Sequence, residues 1–337
     1  MSGPQGEAAV STELGPAIAF LTRTRRFIIT AHETPDGDAI GAECAMQRAL
    51  ASLGKEAIIL NADPTPHKFA YLAPGDTVHV LEGEAAVPPD VREYSLLILD
   101  TNDLRNIGQV ASIVLPRVRE HFIIDHHEHE REDRRAGNVI QKGASSTCEI
   151  IYQILREMNA AVDQPIAEAL YTGIVYDTGC FIYPKTPALT FEIARDLVRA
   201  GVSPNHVYAQ IYESNSIASL VLQSLVLATL ELRCANRVAI LTMDRKMILD
   251  SKANYEESDQ LINIPLKSED IRVSVFFKEN VEGLVRCSMR SKGAIDVAQI
   301  AQEYGGGGHQ TAAGFKCRDS IETTKERILD HLRKYFA

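Results

Sequence analysis

The sequence is poor in the means to cross-link itself or to hold a metal through thiolates. Its six cysteines (Cys44, Cys148, Cys180, Cys234, Cys287 and Cys317) are scattered over 337 residues with no C-x-x-C pair. That argues against a zinc knuckle and against a disulfide framework. No stretch approaches 18 uninterrupted apolar residues, so no membrane span is expected. The opening MSGPQGEAAVSTELG lacks a basic segment followed by an apolar one, so no secretory signal is expected. Positive charge is also short: 35 Lys and Arg stand against 45 Asp and Glu, for a net charge of -10. A protein that coats long duplex nucleic acid neutralises many phosphates and reads as basic. Any nucleic-acid partner should therefore be short and held at a local site. The expectation is a cytoplasmic protein with no membrane partner, long enough for two domains that each bury a core.

What is present is an alternation of short apolar runs with amphipathic stretches. RFIITA (26–31), EAIIL (56–60), YSLLILD (94–100) and HFIID (121–125) read as buried strands. A helix is expected through GAECAMQRALASLG, ended by Gly54. Near-continuous apolar strands alternating with helices favour a parallel sheet covered on both faces, where ligands gather at the carboxyl ends of the strands. In PIAEALYTGIVYDTG, Ile166, Ala169, Leu170, Gly173 and Ile174 share one helical face. Asp177 follows at the helix end, where the macrodipole disfavours an acid, so a compensating cation is expected. Beyond residue 195 the chain is helical, and then RVAILTM, IRVSVFFKE and LVRCSMRS read as strands, the last two as a hairpin. The fold class is thus α/β: an N-terminal domain (12–195) with a mostly parallel sheet flanked by helices, a helical linker (196–215), and a smaller α+β domain (216–337).

Chemistry-bearing residues collect after the expected strands. HETPDGD places His32, Asp36 and Asp38 after the first strand, with Pro35 and Gly37 forcing a tight loop. Asp100 opens DTND after another. The run FIIDHHEHERED puts three of only ten histidines among five acidic residues. Each element has a plain structural alternative: a turn, a helix cap, an exposed histidine pair. Jointly, four clusters of acids and histidines at convergent strand ends point to a dinuclear metal site. Imidazole with carboxylate and no thiolate suits manganese, iron or zinc, and the richness in carboxylate favours manganese. Asp125 would orient a ligand imidazole from behind. Ser145, Ser146 and Thr147 would bond a phosphate or cap the following helix, capping being the simpler role. EHERED reads as a solvated charge run in which His129 is no ligand. Glu33, Arg105 and Arg286 receive no role.

In order and character, HETPDGDAIGA, LILDTND, IDHHEHE and YDTGCF resemble the four motifs of the DHH phosphoesterase superfamily. The resemblance implies two manganese ions. One would be held by His32, Asp36 and Asp100, the other by Asp38, Asp100, His126 and Asp177, with Asp100 bridging. His127, with Asp100 the expected catalytic pair, would face the substrate phosphate. Two such cations acidify a shared water and stabilise both oxygens of an in-line displacement.

GGGGHQTAAGF (305–315) is the other unusual stretch. Four glycines give backbone N–H groups access to an anion, and a helix beginning just after them is one expectation, a flexible loop the other. It carries neither a Walker nor a dinucleotide fingerprint. SMRSKGAIDVAQIAQEYGGGGHQTAAGF resembles the domain associated with DHH enzymes. That implies substrate binding by Arg290, Ser291, Gly306, Gly307, Gly308 and His309.

The resemblance implies an oligoribonuclease and 3′,5′-bisphosphonucleotide (pAp) phosphatase, acting on short RNA or DNA, dinucleotides or pAp, as a possible homodimer. The alternatives are a phosphodiesterase for linear or cyclic dinucleotide messengers (pApA, c-di-AMP), and a non-catalytic nucleotide- or RNA-binding module.

Overall fold

The computed structural model describes residues 13–127, 137–184, 186–280, 282–293 and 295–336. EHERED and His129 lie outside the described residues. The chain divides into two compact units, Met1–Ser214 and Asn215–Ala337.

The first unit holds a six-stranded sheet built from β1 (Arg26–Thr30), β2 (Glu56–Asn61), β3 (Val78–Val80), β4 (Ser95–Leu99), β5 (His121–Asp125) and β6 (Val139–Ile140). The spatial order is β3-β2-β1-β4-β5-β6, and every pairing is parallel. The apolar runs are continuous because both faces are buried. Phe27 and Ile29, Leu97 and Leu99, and Phe122 and Ile124 enter one core. Their alternates Ile28, Leu96, Ile98 and Ile123 enter the other. The strand order reverses between β1 and β4, which opens the crevice where such sheets bind ligands.

Helix Gly37–Ser52 starts four residues before the expected GAECAM stretch. The Asp36 side chain caps it by accepting from Asp38 N and Ala39 N, so the loop ends at Asp36 and Asp38 sits in the first turn. Helix Gln164–Asp177 buries the Ile166, Ala169, Leu170 and Ile174 face anticipated from periodicity. Leu197, Val202, Val207 and Ile211, from the stretch read as a linker, lie in the same core as Phe27.

The second unit holds β7 (Glu231–Arg233), β8 (Val238–Met243), β9 (Val273–Glu279), β10 (Val285–Ser291), β11 (Gly307–His309) and β12 (Ala312–Lys316). Their order is β11-β12-β10-β9-β8-β7. β8 and β9 pair in parallel and the other neighbours antiparallel, including the expected β9–β10 hairpin.

No helix begins directly after the four glycines. Helix Val297–Glu303 ends at Tyr304, Gly305 takes a left-handed φ of 74°, and Gly306 N donates back to Ala301 O at 2.9 Å. The chain then enters the β11–β12 hairpin. A Cβ on Gly308 would lie 2.4 Å from Ala312 O, and its φ is 142°, so strand pairing explains that glycine. Among the described residues, no helix is long and apolar enough to cross a membrane.

Candidate metal centre

Four backbone segments deliver carboxylates and imidazoles to one point at the carboxyl end of the parallel sheet. His32 follows β1, Asp36 and Asp38 straddle the start of helix Gly37–Ser52, and Asp100 follows β4. His126 and His127 follow β5, and Asp177 ends helix Gln164–Asp177. His126 Nε2 lies 3.0 Å from Asp177 Oδ2, 3.6 Å from Asp100 Oδ1 and 3.8 Å from Asp38 Oδ2. His32 Nε2 lies 3.5 Å from Asp100 Oδ2. Donor atoms of His32, Asp36 and Asp100 fall within 4.8 Å of one another, and so do those of Asp38, His126 and Asp177. All six residues named as metal ligands from sequence are thus brought together, with Asp100 beside both histidines.

The surroundings hold these groups in place. Asp38 is fully buried and accepts from Thr147 N at 2.6 Å and Cys148 N at 2.9 Å, the first turn of helix Thr147–Glu157. Helix N-termini stabilise anions in this way. Asp100 accepts from Thr147 Oγ1 at 2.9 Å and has a left-handed φ of 62°, a conformation retained where the surrounding structure imposes it. His32 Nδ1 is 2.7 Å from Glu33 O, which leaves Nε2 facing the acids. Asp125, fully buried, accepts from His126 N at 2.8 Å and meets His127 Nδ1 at 2.8 Å, so it braces both histidines. Asn102 Nδ2 donates to His127 O at 3.0 Å.

The electrostatics follow from crowding. Burial, with the charges of Asp38, Asp36, Asp177 and Asp125, pushes the Asp100 carboxyl well above the usual range. Burial pushes Asp177 to about 6; His126 opposes the shift while Asp38 and Asp36 add to it. Burial disfavours charge on His126, yet Asp177, Asp38 and Asp125 outweigh it and raise the imidazole to about 9. Asp125 goes the other way: burial raises it, but the bond and charge of His127 prevail and hold it below the usual range. Four carboxylates this close are unstable as a group of anions unless a cation joins them.

The donor set suits a hard or borderline divalent cation, being oxygen and imidazole nitrogen throughout. His126 Nε2 is buried and turned to the carboxylates of Asp177, Asp100 and Asp38, as expected of an atom that would share a cation with them. The Cys148 thiol is pushed far up by burial and Asp38, and it contacts the Asp38 carbonyl instead. The residues therefore fit a metal.

Sequence reasoning missed the anchoring by Thr147 and Cys148. The S-x-x-E pattern of Ser146 and Glu149 marks that helix start, and Ser146 does cap it, accepting from Glu149 N at 3.0 Å. Ser145 Oγ donates to Glu149 Oε2 at 2.7 Å. Arg105 is held by Asp103, with Nε 2.9 Å from Oδ1.

In the second unit, Arg286, Ser288 and Arg290 alternate along β10 and share a face. Arg290, Ala312 and His309 are in register across three neighbouring strands. Arg290 Nη1 donates to Met289 O at 3.0 Å, and burial together with Arg286 lowers the pKa of its guanidinium. The Ser291 hydroxyl donates to Ile295 O at 2.7 Å. Gly306, Gly307 and Gly308 follow the helix cap as described.

A doubly covered parallel sheet whose strand ends gather acids and histidines is suited to metal-assisted hydrolysis, and the family comparison agrees. The chain matches the DHH family, N-terminal domain, over residues 26–174 and the DHHA1 domain over residues 236–337; it belongs to the DHH family. It is 29% identical over 310 residues to the bifunctional oligoribonuclease and PAP phosphatase NrnA of Thermus thermophilus, covering 91% of this chain and 89% of that one. It is 27% identical over 296 residues to the Bacillus subtilis protein of the same name, covering 85% and 88%. The fold is shared with the crystal structure of an exopolyphosphatase-related protein from Bacteroides fragilis, at 24% identity and a TM-score of 0.89, covering 98% of both chains.

Proposed function

We propose that the centre holds two manganese ions and that this phosphoesterase hydrolyses short oligonucleotides and 3′,5′-bisphosphonucleotides such as pAp. The observation that carries the reading is the pair of donor sets meeting at Asp100: His32 and Asp36 on one side, Asp38, His126 and Asp177 on the other. Divalent cations so held supply Lewis-acid charge to a phosphoryl group and a water acidified toward neutral pH. The substrate class is supported by the two relatives named as oligoribonuclease and PAP phosphatase. The acidic balance of the chain, which disfavours long duplexes, supports it as well.

The chain's own groups then divide the work. Thr147 Oγ1 and the N–H groups of Thr147 and Cys148 keep Asp100 and Asp38 oriented. Asp125 engages His127 Nδ1 and so fixes the ring, and the imidazole would meet a substrate phosphate oxygen. Arg290, Ser291, Gly306, Gly307, Gly308 and His309 would hold the terminal nucleotide, with the Arg290 guanidinium able to grip a phosphate through two parallel bonds.

The test is a manganese-supplemented panel of pAp, pApA, 2- to 5-mer RNA and DNA, and pyrophosphate. Release of phosphate from pAp and of mononucleotides from the short oligomers is expected. A well-folded, metal-loaded protein that leaves every nucleotide untouched would overturn the proposal. Cleavage of pApA alone would move it to the dinucleotide messengers.

A further inference from the structure

The turn that follows Asp177 is strained in a way that phosphate chemistry alone does not require. Gly179, Cys180 and Phe181 are three consecutive left-handed residues, with φ of 55°, 61° and 67°. Two of them are not glycine, and such backbone persists only where neighbouring bonds impose it. Here Cys180 N donates to Val175 O at 2.7 Å, Phe181 N to Thr178 Oγ1 at 2.9 Å, and Ile182 N and Tyr183 N to Thr178 O at 3.0 Å.

The chain therefore reverses at once and lays the Tyr183 ring over Gly179, two residues from Asp177. A Cβ on Gly179 would meet that ring at 2.5 Å. The outer side of the ring is open: Tyr183 is 54% and Ile182 78% exposed. Tyr176, the residue before Asp177, lies against Gly37, between Asp36 and Asp38: a Cβ on Gly37 would meet the Tyr176 side chain at 2.7 Å.

A phosphate at the centre leaves a ribose and a base to be received. Carboxylates offer no apolar surface for a base. We propose that Tyr183, with Ile182 beside it, is the platform on which the nucleobase next to the scissile phosphate stacks. Every base has a π face, so the platform accepts purines and pyrimidines alike and acts on affinity. The inference rests on the nucleotide phosphoesterase reading above and concerns the base, where that reading concerned the phosphate.

The experiment is calorimetric binding of AMP and of ribose 5-phosphate to the manganese-loaded full chain, compared among wild type, Tyr183→Phe and Tyr183→Ala. Wild type and Tyr183→Phe should bind AMP more tightly than ribose 5-phosphate, by on the order of 5- to 100-fold. Tyr183→Ala should erase that preference while ribose 5-phosphate affinity stays within about twofold. Equal affinities in wild type, an AMP affinity unchanged in Tyr183→Ala, or a parallel loss for both ligands would each overturn the platform. Because the readout is binding, failure of the wild type to hydrolyse nucleotides would be seen separately, as failure of the proposed activity.

Discussion

Gly173→Ala should damage the metal centre without removing a single ligand. Gly173 lies in helix Gln164–Asp177, one turn before Asp177. An added Cβ would stand 2.3 Å from Cys148 Sγ, 2.6 Å from Asp38 Oδ1 and 3.0 Å from the Asp38 Cα. Carbon contacts are comfortable at about 3.5–4.0 Å, so something must retreat by roughly an ångström. Both obstacles are buried, and Asp38 is also tied to the helix start at Thr147 and Cys148, so no flexible end is available to yield. Overpacking of this kind costs about 1–3 kcal/mol, which in a unit of this size lowers Tm by several degrees. A displacement of about 1 Å at a reacting centre can cost ~100-fold in turnover. The assay pairs thermal unfolding with calorimetric manganese titration. Cys148→Ala combined with Gly173→Ala removes only the sulfur clash, so it should recover stability more than metal affinity. A Gly173→Ala protein with parental Tm and parental manganese affinity would refute the reasoning.

Thr147→Val removes the hydroxyl that Asp100 accepts from, and such supporting bonds to ligands are worth about 10–100-fold in metal affinity; titration of the apo protein with manganese reads the loss. Glu43 is fully buried, with Oε2 bonded to Asn61 at 2.9 Å and Oε1 unpartnered, and burial holds its pKa at about 8 against a reference of 4.5. The fold therefore favours its neutral form: the stability it contributes is complete below 4.5 and is lost as pH rises through 8. Glu43→Gln, neutral at any pH, should match wild type in urea melts near pH 4 and exceed it by up to about 3 kcal/mol at pH 7. Saturating manganese should raise Tm, since a ligand at 100 times its Kd adds about 2.7 kcal/mol, and EDTA should reverse the gain.

Much of the centre was legible because its residues stand at places the chain marks locally. Arg26–Thr30, Ser95–Leu99 and His121–Asp125 are short apolar runs followed within two residues by a histidine or an acid, and a parallel sheet brings those ends together. The helix that ends at Asp177 shows its buried stripe in its own periodicity. The anchoring of Asp38 was not legible, since its partners Thr147 and Cys148 lie more than 100 residues away and meet it only through docking of two helices. Nor was the crowding at Gly173, where a small residue on a helical face reads as core packing and nothing local names the carboxylate beside it. The β11–β12 hairpin was hidden because Gly308 answers to a carbonyl on the facing strand, whereas a glycine run by itself reads as a loop. Strands of two or three residues such as β3, β6 and β7 carry no period to detect.

The central claim is that one cluster of this chain holds two cations, and anomalous diffraction from crystals soaked in manganese tests it most directly. Two peaks are expected about 3.5–4 Å apart. One should lie among His32, Asp36 and Asp100, the other among Asp38, Asp100, His126 and Asp177. Manganese peaks elsewhere on the chain, or none at these residues at saturating metal, would contradict it.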